Sequence, residues 1–82
     1  MKKLVEYIAK SIVASPDEVQ VSEFKSDGDN RESVIYELKV GPDDMGVVIG
    51  KGGQTIKSIR NIIKIKAIKK GIYADVKIIE TD

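Results

Sequence analysis

A glycine loop at residues 50–53 constrains the fold of this chain more than any other feature. Its sequence is Gly50-Lys51-Gly52-Gly53; β-branched apolar residues 47–49 precede it, and an apolar-periodic, lysine-rich segment follows it. Glycine permits positive φ angles and lets another backbone approach closely. A loop that opens a helix also directs free N–H groups and the positive end of the helix dipole toward an anion. Together with the charge of Lys51, these properties predict a loop that holds phosphate groups.

The glycine loop has three possible interpretations, two of which differ in the spacing they require. A nucleotide-binding P-loop needs G-x-x-x-x-G-K followed by Ser or Thr. Only three residues separate Gly46 from Gly50, and Gly52 follows Lys51, so the spacing and the magnesium ligand are both wrong. The motif I-G-x-x-G between two helices, which grips a single-stranded nucleic-acid backbone, fits residues 49–53. A glycine-rich connection that binds no ligand is the third interpretation.

Composition argues against catalysis. The chain has 82 residues, no cysteine and no histidine, so it lacks thiolate ligands, the commonest metal ligand and the usual general base. Asp27, Asp29 and Glu32 fall in an expected turn, where solvated charge explains them better than a metal site. We therefore expect no enzyme activity, no metal, no cofactor and no small-molecule substrate. Glu6 and Lys10 interrupt the first apolar residues, so we expect no signal peptide, no membrane partner and a cytoplasmic location.

Charge is unevenly distributed along the chain although the net charge is only +1. Residues 51–70 contain no acidic residue, and their basic residues are Lys51, Lys57, Arg60, Lys64, Lys66, Lys69 and Lys70. Residues 17–44 are predominantly acidic. The pattern predicts one strongly basic face, although a solvated helix face would explain the charges alone. The adjoining glycine loop favours the first explanation.

Hydrophobic periodicity predicts an α+β fold. The expected elements are a helix over 2–13 that ends before Pro16, strands over 19–24 and 33–40 joined by a turn at 26–30, a short helix beginning near Asp43, a helix over 53–70 ended by Gly71, and a strand over 72–79. The carboxylate of Asp43 is expected to cap the short helix. The order predicts one domain over 1–82, a three-stranded sheet with its helices packed on one face.

The long helix divides into faces at about 100° per residue. The core stripe is expected to contain Ile56, Ile59, Ile63 and Ala67. Lys57, Arg60 and Lys64 cluster on its flank, next to Lys51 in the loop. Ile65 and Ile68 lie off the core stripe, so they either pack under the helix end or contact a partner.

The element order and the glycine loop together resemble a type II KH domain. The opening residues 4–8 and the phrase G-V-V-I-G-K-G-G at residues 46–53 are similar to the KhpA family of small bacterial KH proteins. The resemblance implies a cytoplasmic protein that binds single-stranded RNA, of the RNA chaperone or post-transcriptional regulator type. It also implies a homodimer, or a heterodimer with a larger KH-domain protein.

The same resemblance assigns roles to a few residues. Gly50, Lys51, Gly52 and Gly53 match the loop that touches the sugar-phosphate backbone, with Lys57, Arg60 and Lys64 extending the positive track. Val48, Ile49 and Ile56 match the floor of an apolar groove under the bases, where the family holds about four unpaired nucleotides. Tyr7, Phe24, Tyr36 and Tyr73 are expected in the core or on the sheet surface rather than as stacking platforms. The alternative function is a protein-interaction and dimerisation module, with Ile65 and Ile68 in the interface and RNA binding secondary.

Overall fold

The structure is a computed structural model that describes residues 1–28 and 31–79. Its helices and strands are α1 (Lys2–Ile12), β1 (Gln20–Gly28), β2 (Arg31–Lys39), α2 (Met45–Ile49), α3 (Gln54–Lys69) and β3 (Tyr73–Ile79). Single 3-10 turns at Pro16–Glu18, Pro42–Asp44 and Lys51–Gly53 join some of them. The predicted element order and the α+β class are confirmed.

The hairpin is longer than predicted. β1 continues to Gly28 because it stays paired with β2 up to that residue, so positions 26–28 belong to the strand rather than to the expected turn. The rest of that turn, Asp29 and Asn30, lies outside the described residues. Glu32, expected in the turn, is exposed within β2.

The sheet has the order β1-β2-β3 and mixes both strand directions. β1 pairs antiparallel with β2, whereas β3 pairs parallel with β2, with Tyr36 opposite Val76. A parallel neighbour needs a crossover connection, and α2, the glycine loop and α3 supply it. β3 is therefore an edge strand that lies beside α3.

One face of the sheet and the inner faces of the helices form the core. The sheet contributes the alternating buried residues Val21, Val34, Tyr36, Leu38, Ala74 and Val76. α1 contributes Val5 and Ala9, and α3 contributes Ile59, Ile63 and Ala67, as the predicted stripe requires. Ile56, at the loop end of the stripe, is only partly buried.

Gly71 ends α3 as predicted. Its φ of 72° is left-handed, its amide donates to Ile68 O at 3.0 Å, and the amide of Ile72 donates to Ala67 O at 3.0 Å. These two bonds form a Schellman motif, which satisfies carbonyls at the helix end and turns the chain into β3.

The predicted cap at Asp43 is wrong. Neither α2 nor the 3-10 turn before it has a side-chain cap, and Asp43 is exposed. The next residue, Asp44, is buried instead, and its carboxylate accepts hydrogen bonds from the amides of Ala14 at 3.0 Å and Ser15 at 3.1 Å. Asp44 therefore fastens the start of α2 to the segment that follows α1, 29 to 30 residues earlier in the chain.

Candidate nucleic-acid interface

The backbone of the glycine loop depends on its glycines. Gly50 has φ 78° and ψ 168°, and a Cβ atom there would lie 2.7 Å from the backbone nitrogen of Thr55. Gly52 also has a positive φ, 63°, but a Cβ there would meet nothing within 4 Å. Gly50 thus allows α2 and α3 to meet at the loop, whereas Gly52 lies at an open apex.

The loop has backbone donors at that apex. The amide of Gly50 donates to Gly46 O at 2.8 Å, and the amide of Gly53 donates to Gly50 O at 3.0 Å. The first hydrogen bond of the Lys51–Gly53 turn is donated by Gly53, so the amides of Lys51 and Gly52 before it have no acceptor within the turn. The side chain of Lys51 is exposed beside them. The apex therefore offers two N–H groups and one ammonium group to an anion.

A basic flank extends from the loop along α3. Lys57 and Lys64 are exposed and lie seven residues apart, so they project about 20° from each other. Lys66 projects about 180° from Lys57 by the same geometry. The charged run therefore does not form the single face expected from the sequence, and we define the basic flank as Lys51, Lys57 and Lys64.

Arg60 is placed differently from its neighbours. It lies between Lys57 and Lys64 on α3, but its Nε donates to Val76 O on β3 at 2.8 Å. The same Nε lies 3.5 Å from Oδ1 of Asp75, and both side chains are partly exposed. Arg60 therefore crosses to the edge of the sheet, where an acidic group offsets part of its charge. The helical pattern alone gave no sign of this partner.

The three residues predicted for the apolar groove separate into two environments. Val48 is fully buried in the core, so its side chain has no surface that a base could touch. Ile49 is exposed and Ile56 is partly buried, and both flank the loop in sequence. Val47, which had no predicted role, is also exposed. Apolar surface next to the loop in sequence therefore comes from Val47, Ile49 and Ile56, whereas Val48 belongs to the core.

An apolar pocket that the sequence analysis missed lies between the second half of α3 and the start of β3. Its volume is about 260 Å³, and its lining residues are Lys64, Ala67, Ile68, Ile72, Tyr73 and Ala74. Lys64 thus belongs to the basic flank and also lines this pocket. The sequence signal was the apolar pair at positions 72 and 73, directly after the glycine that ends α3.

Three isoleucines form a stripe on the outer side of α3. Ile65 and Ile68 are 58% and 75% exposed, which confirms that they lie off the core stripe. Ile62, which the sequence analysis did not single out, is 46% exposed. The spacing of three residues places all three on one side of the helix, and we call them the isoleucine stripe.

Residues 1–28 and 31–79 contain neither a metal-binding cluster nor a membrane-spanning helix. Within this part of the chain, no group of three or more acidic, histidine or cysteine residues is arranged to hold a metal ion. No helix there combines the length and the apolar character needed to cross a membrane.

Comparison with known proteins places the chain in a family. The family model for the KH domain of KhpA/KhpB matches residues 2–78. The chain is 53% identical over 79 residues to the RNA-binding protein KhpA of Clostridium acetobutylicum, which covers 96% of this chain and 100% of that protein. It is 51% identical to KhpA of Clostridium perfringens over the same shares, and 36% identical to KhpA of Chlamydia pneumoniae over 98% of this chain and 97% of that one. The chain therefore belongs to the KhpA/KhpB family of KH domains.

Proposed function

We propose that this protein binds single-stranded RNA through its glycine loop and acts by binding, without catalysis, as an RNA chaperone or post-transcriptional regulator. The observation that carries the proposal is the loop apex, where Lys51 and Gly52 are exposed and their amides have no acceptor within the turn. The relatives are named RNA-binding proteins, which supports RNA as the ligand. Residues 1–82 would act as a single KH domain in the cytoplasm.

In this mechanism the loop apex holds one phosphate through its two amides and the ammonium group of Lys51. Lys57 and Lys64 attract the following phosphates along the basic flank. The bases then lie on the aliphatic surface of Ile49 and Ile56, while Val48 supports that surface from the core. Phosphate contacts position the strand without reading its sequence, so we expect modest sequence preference.

The charge of the basic flank gives a quantitative expectation. Three cations that neutralise three phosphates of a single strand give a log–log slope of affinity against salt of about −2. Binding by one such domain should be weak, about micromolar in dissociation constant. A slope near zero would contradict a phosphate-based mechanism.

The test is fluorescence anisotropy of a labelled random-sequence single-stranded RNA pool at two salt concentrations. Wild type is compared with the double variant Lys51→Asp, Gly52→Asp. Aspartate is among the residues that tolerate a left-handed backbone, and position 52 has open space, so the variant should remain folded. Binding should be lost in that variant; RNA affinity retained by the folded protein would refute the role of the loop.

The isoleucine stripe supports a second candidate function, a dimerisation module. Exposed isoleucines at regular spacing on one helix are typical of an interface, and a small domain gains stability from burying them. The proposed dimer forms through α3 with a second copy or with a larger KH-domain protein. It is compatible with RNA binding at the loop, because Ile62 and Ile65 project about 80° or more from Lys57 and Lys64. Ile68 projects only about 20° from Lys57, so it lies where the isoleucine stripe meets the basic flank.

Light scattering tests this candidate. Wild type should show about twice the 9.0 kDa chain mass, and Ile65→Asp should return it to the monomer. Gln20→Glu is the matched control, because it adds the same charge at an exposed position of β1. If Ile65→Asp leaves the mass unchanged, the proposed dimer interface on the isoleucine stripe is refuted.

A further inference from the structure

At one residue of β3, two side chains form hydrogen bonds with the backbone on the outer edge of the strand. Among the described residues β3 pairs only with β2, so its other edge has no neighbouring strand. At Val76 the amide donates to Oδ1 of Asp75 at 2.8 Å, and the carbonyl accepts from Nε of Arg60 at 2.8 Å. We call this arrangement of Arg60, Asp75 and Val76 the clasp.

The clasp lies in the path of the basic flank. Arg60 is three residues after Lys57 and four before Lys64, so all three project from the same side of α3. Lys57 and Lys64 have no acidic partner among the described residues, whereas Arg60 has Asp75 at 3.5 Å. An RNA strand that follows this flank therefore meets one cation, Arg60, that is already paired with a carboxylate.

We propose that Asp75 restrains nucleic-acid binding by holding Arg60 on the edge of β3, an inference that rests on the proposed RNA-binding function. A phosphate passing between Lys57 and Lys64 competes with Asp75 for the guanidinium group. Exposed ion pairs are weak, and both members of this pair are partly exposed, so a phosphate can replace the carboxylate. Arg60 therefore contacts an RNA phosphate only when it leaves Asp75, and the charge of Asp75 determines how readily this exchange occurs.

Removal of the carboxylate charge has a calculable effect. Each additional phosphate contact with a single strand steepens the log–log salt slope by about 0.7. At about 0.1 M salt, one additional contact with this slope makes binding about fivefold tighter. Asp75→Asn removes the charge but keeps an oxygen that can accept from the amide of Val76.

The experiment is an anisotropy titration of the labelled single-stranded RNA pool against wild type, Asp75→Asn, Arg60→Ala and the double variant. Asp75→Asn should bind about fivefold more tightly with the steeper slope, and the gain should disappear in the Arg60→Ala background. Asp17→Asn, which removes one exposed charge far along the chain, is the matched control and should bind like wild type.

The outcomes separate the inference from the proposed function. Unchanged or weaker binding by Asp75→Asn, while wild type binds with a salt-dependent affinity, overturns the clasp alone. An equal gain in the Arg60→Ala background also overturns it, because simple repulsion by Asp75 would then explain the effect. Absence of binding by every variant overturns both claims.

A second measurement needs no substitution. In wild type the Nε–H proton of Arg60 should exchange slowly in the free protein, because it is bonded to Val76 O, and its NMR signal should move when single-stranded RNA is added. A signal that stays unchanged at RNA saturation refutes the release of Arg60.

Discussion

Among the described residues, Asp44 is the only buried charged side chain, at 4% exposure, and it anchors the start of α2, the helix that leads into the glycine loop. Its two oxygens accept from the amides of Ala14 and Ser15. α2 has only five residues and cannot be stable alone, so it depends on such contacts. Asp44→Ala removes both hydrogen bonds and leaves a small cavity at the start of α2.

The cost can be estimated from these two contacts. A hydrogen bond to a charged group contributes about 1.5–3 kcal/mol. Ala14 and Ser15 are exposed residues, so water can partly replace the lost acceptor and the lower end of the range applies. Asp44→Ala should therefore lower the free energy of unfolding by about 3 kcal/mol, from two bonds of about 1.5 kcal/mol each. A chain of this size has a total stability of about 4–12 kcal/mol, so the loss is a large fraction of it.

Urea denaturation, followed by circular dichroism, measures this loss. Asp43→Ala is the matched control, because it removes an exposed carboxylate one residue earlier and should change stability by less than about 0.5 kcal/mol. Asp44→Asn keeps one oxygen acceptor, so its free energy of unfolding should lie between those of Asp44→Ala and Asp43→Ala. Equal stability of Asp44→Ala and Asp43→Ala would refute the anchoring role of Asp44.

Two further predictions concern the loop and the core. Gly50→Ala should lower stability by more than Gly53→Ala in the same urea assay, since only the Cβ at position 50 would collide with the backbone of Thr55; equal losses would contradict the loop geometry. Burial of Tyr36, together with the charge of Glu23 and a hydrogen bond to it, raises the pKa of the tyrosine from 10.0 to about 12. Between these values only the unfolded state ionises, so the stability contribution is complete below pH 10 and is lost toward pH 12, by about 1.4 kcal/mol per pH unit. Urea midpoints at pH 9 and pH 11 should therefore fall further in wild type than in Tyr36→Phe, and equal falls would refute the assignment.

The features that the sequence predicted are those with a local signal. The glycine loop is contiguous, and the core stripe of α3 repeats at helical spacing, so both could be recognised without knowledge of distant contacts. The direction of β3 was not predicted, and its parallel pairing with β2 is shown by the structure alone. Gly71 was predictable because a left-handed residue at a helix end favours glycine.

The features that the sequence missed depend on distant partners. Two adjacent aspartates, Asp43 and Asp44, look alike in the sequence, and only the fold shows that the second contacts the segment after α1. The helical wheel grouped Arg60 with Lys57 and Lys64, but its partner Asp75 is 15 residues away on another element. The resemblance assigned Val48 to the groove, and α2 is too short for periodicity to show that this side chain is buried.

The central claim is that the loop apex binds the RNA backbone. NMR titration of the isotope-labelled protein with single-stranded RNA tests it most directly, because every backbone amide reports separately. The amides of Lys51 and Gly52 should shift most, with smaller changes near Ile49 and Ile56 and along the basic flank. Unmoved loop amides, with the main changes on the isoleucine stripe or on the outer face of the sheet, would contradict the account.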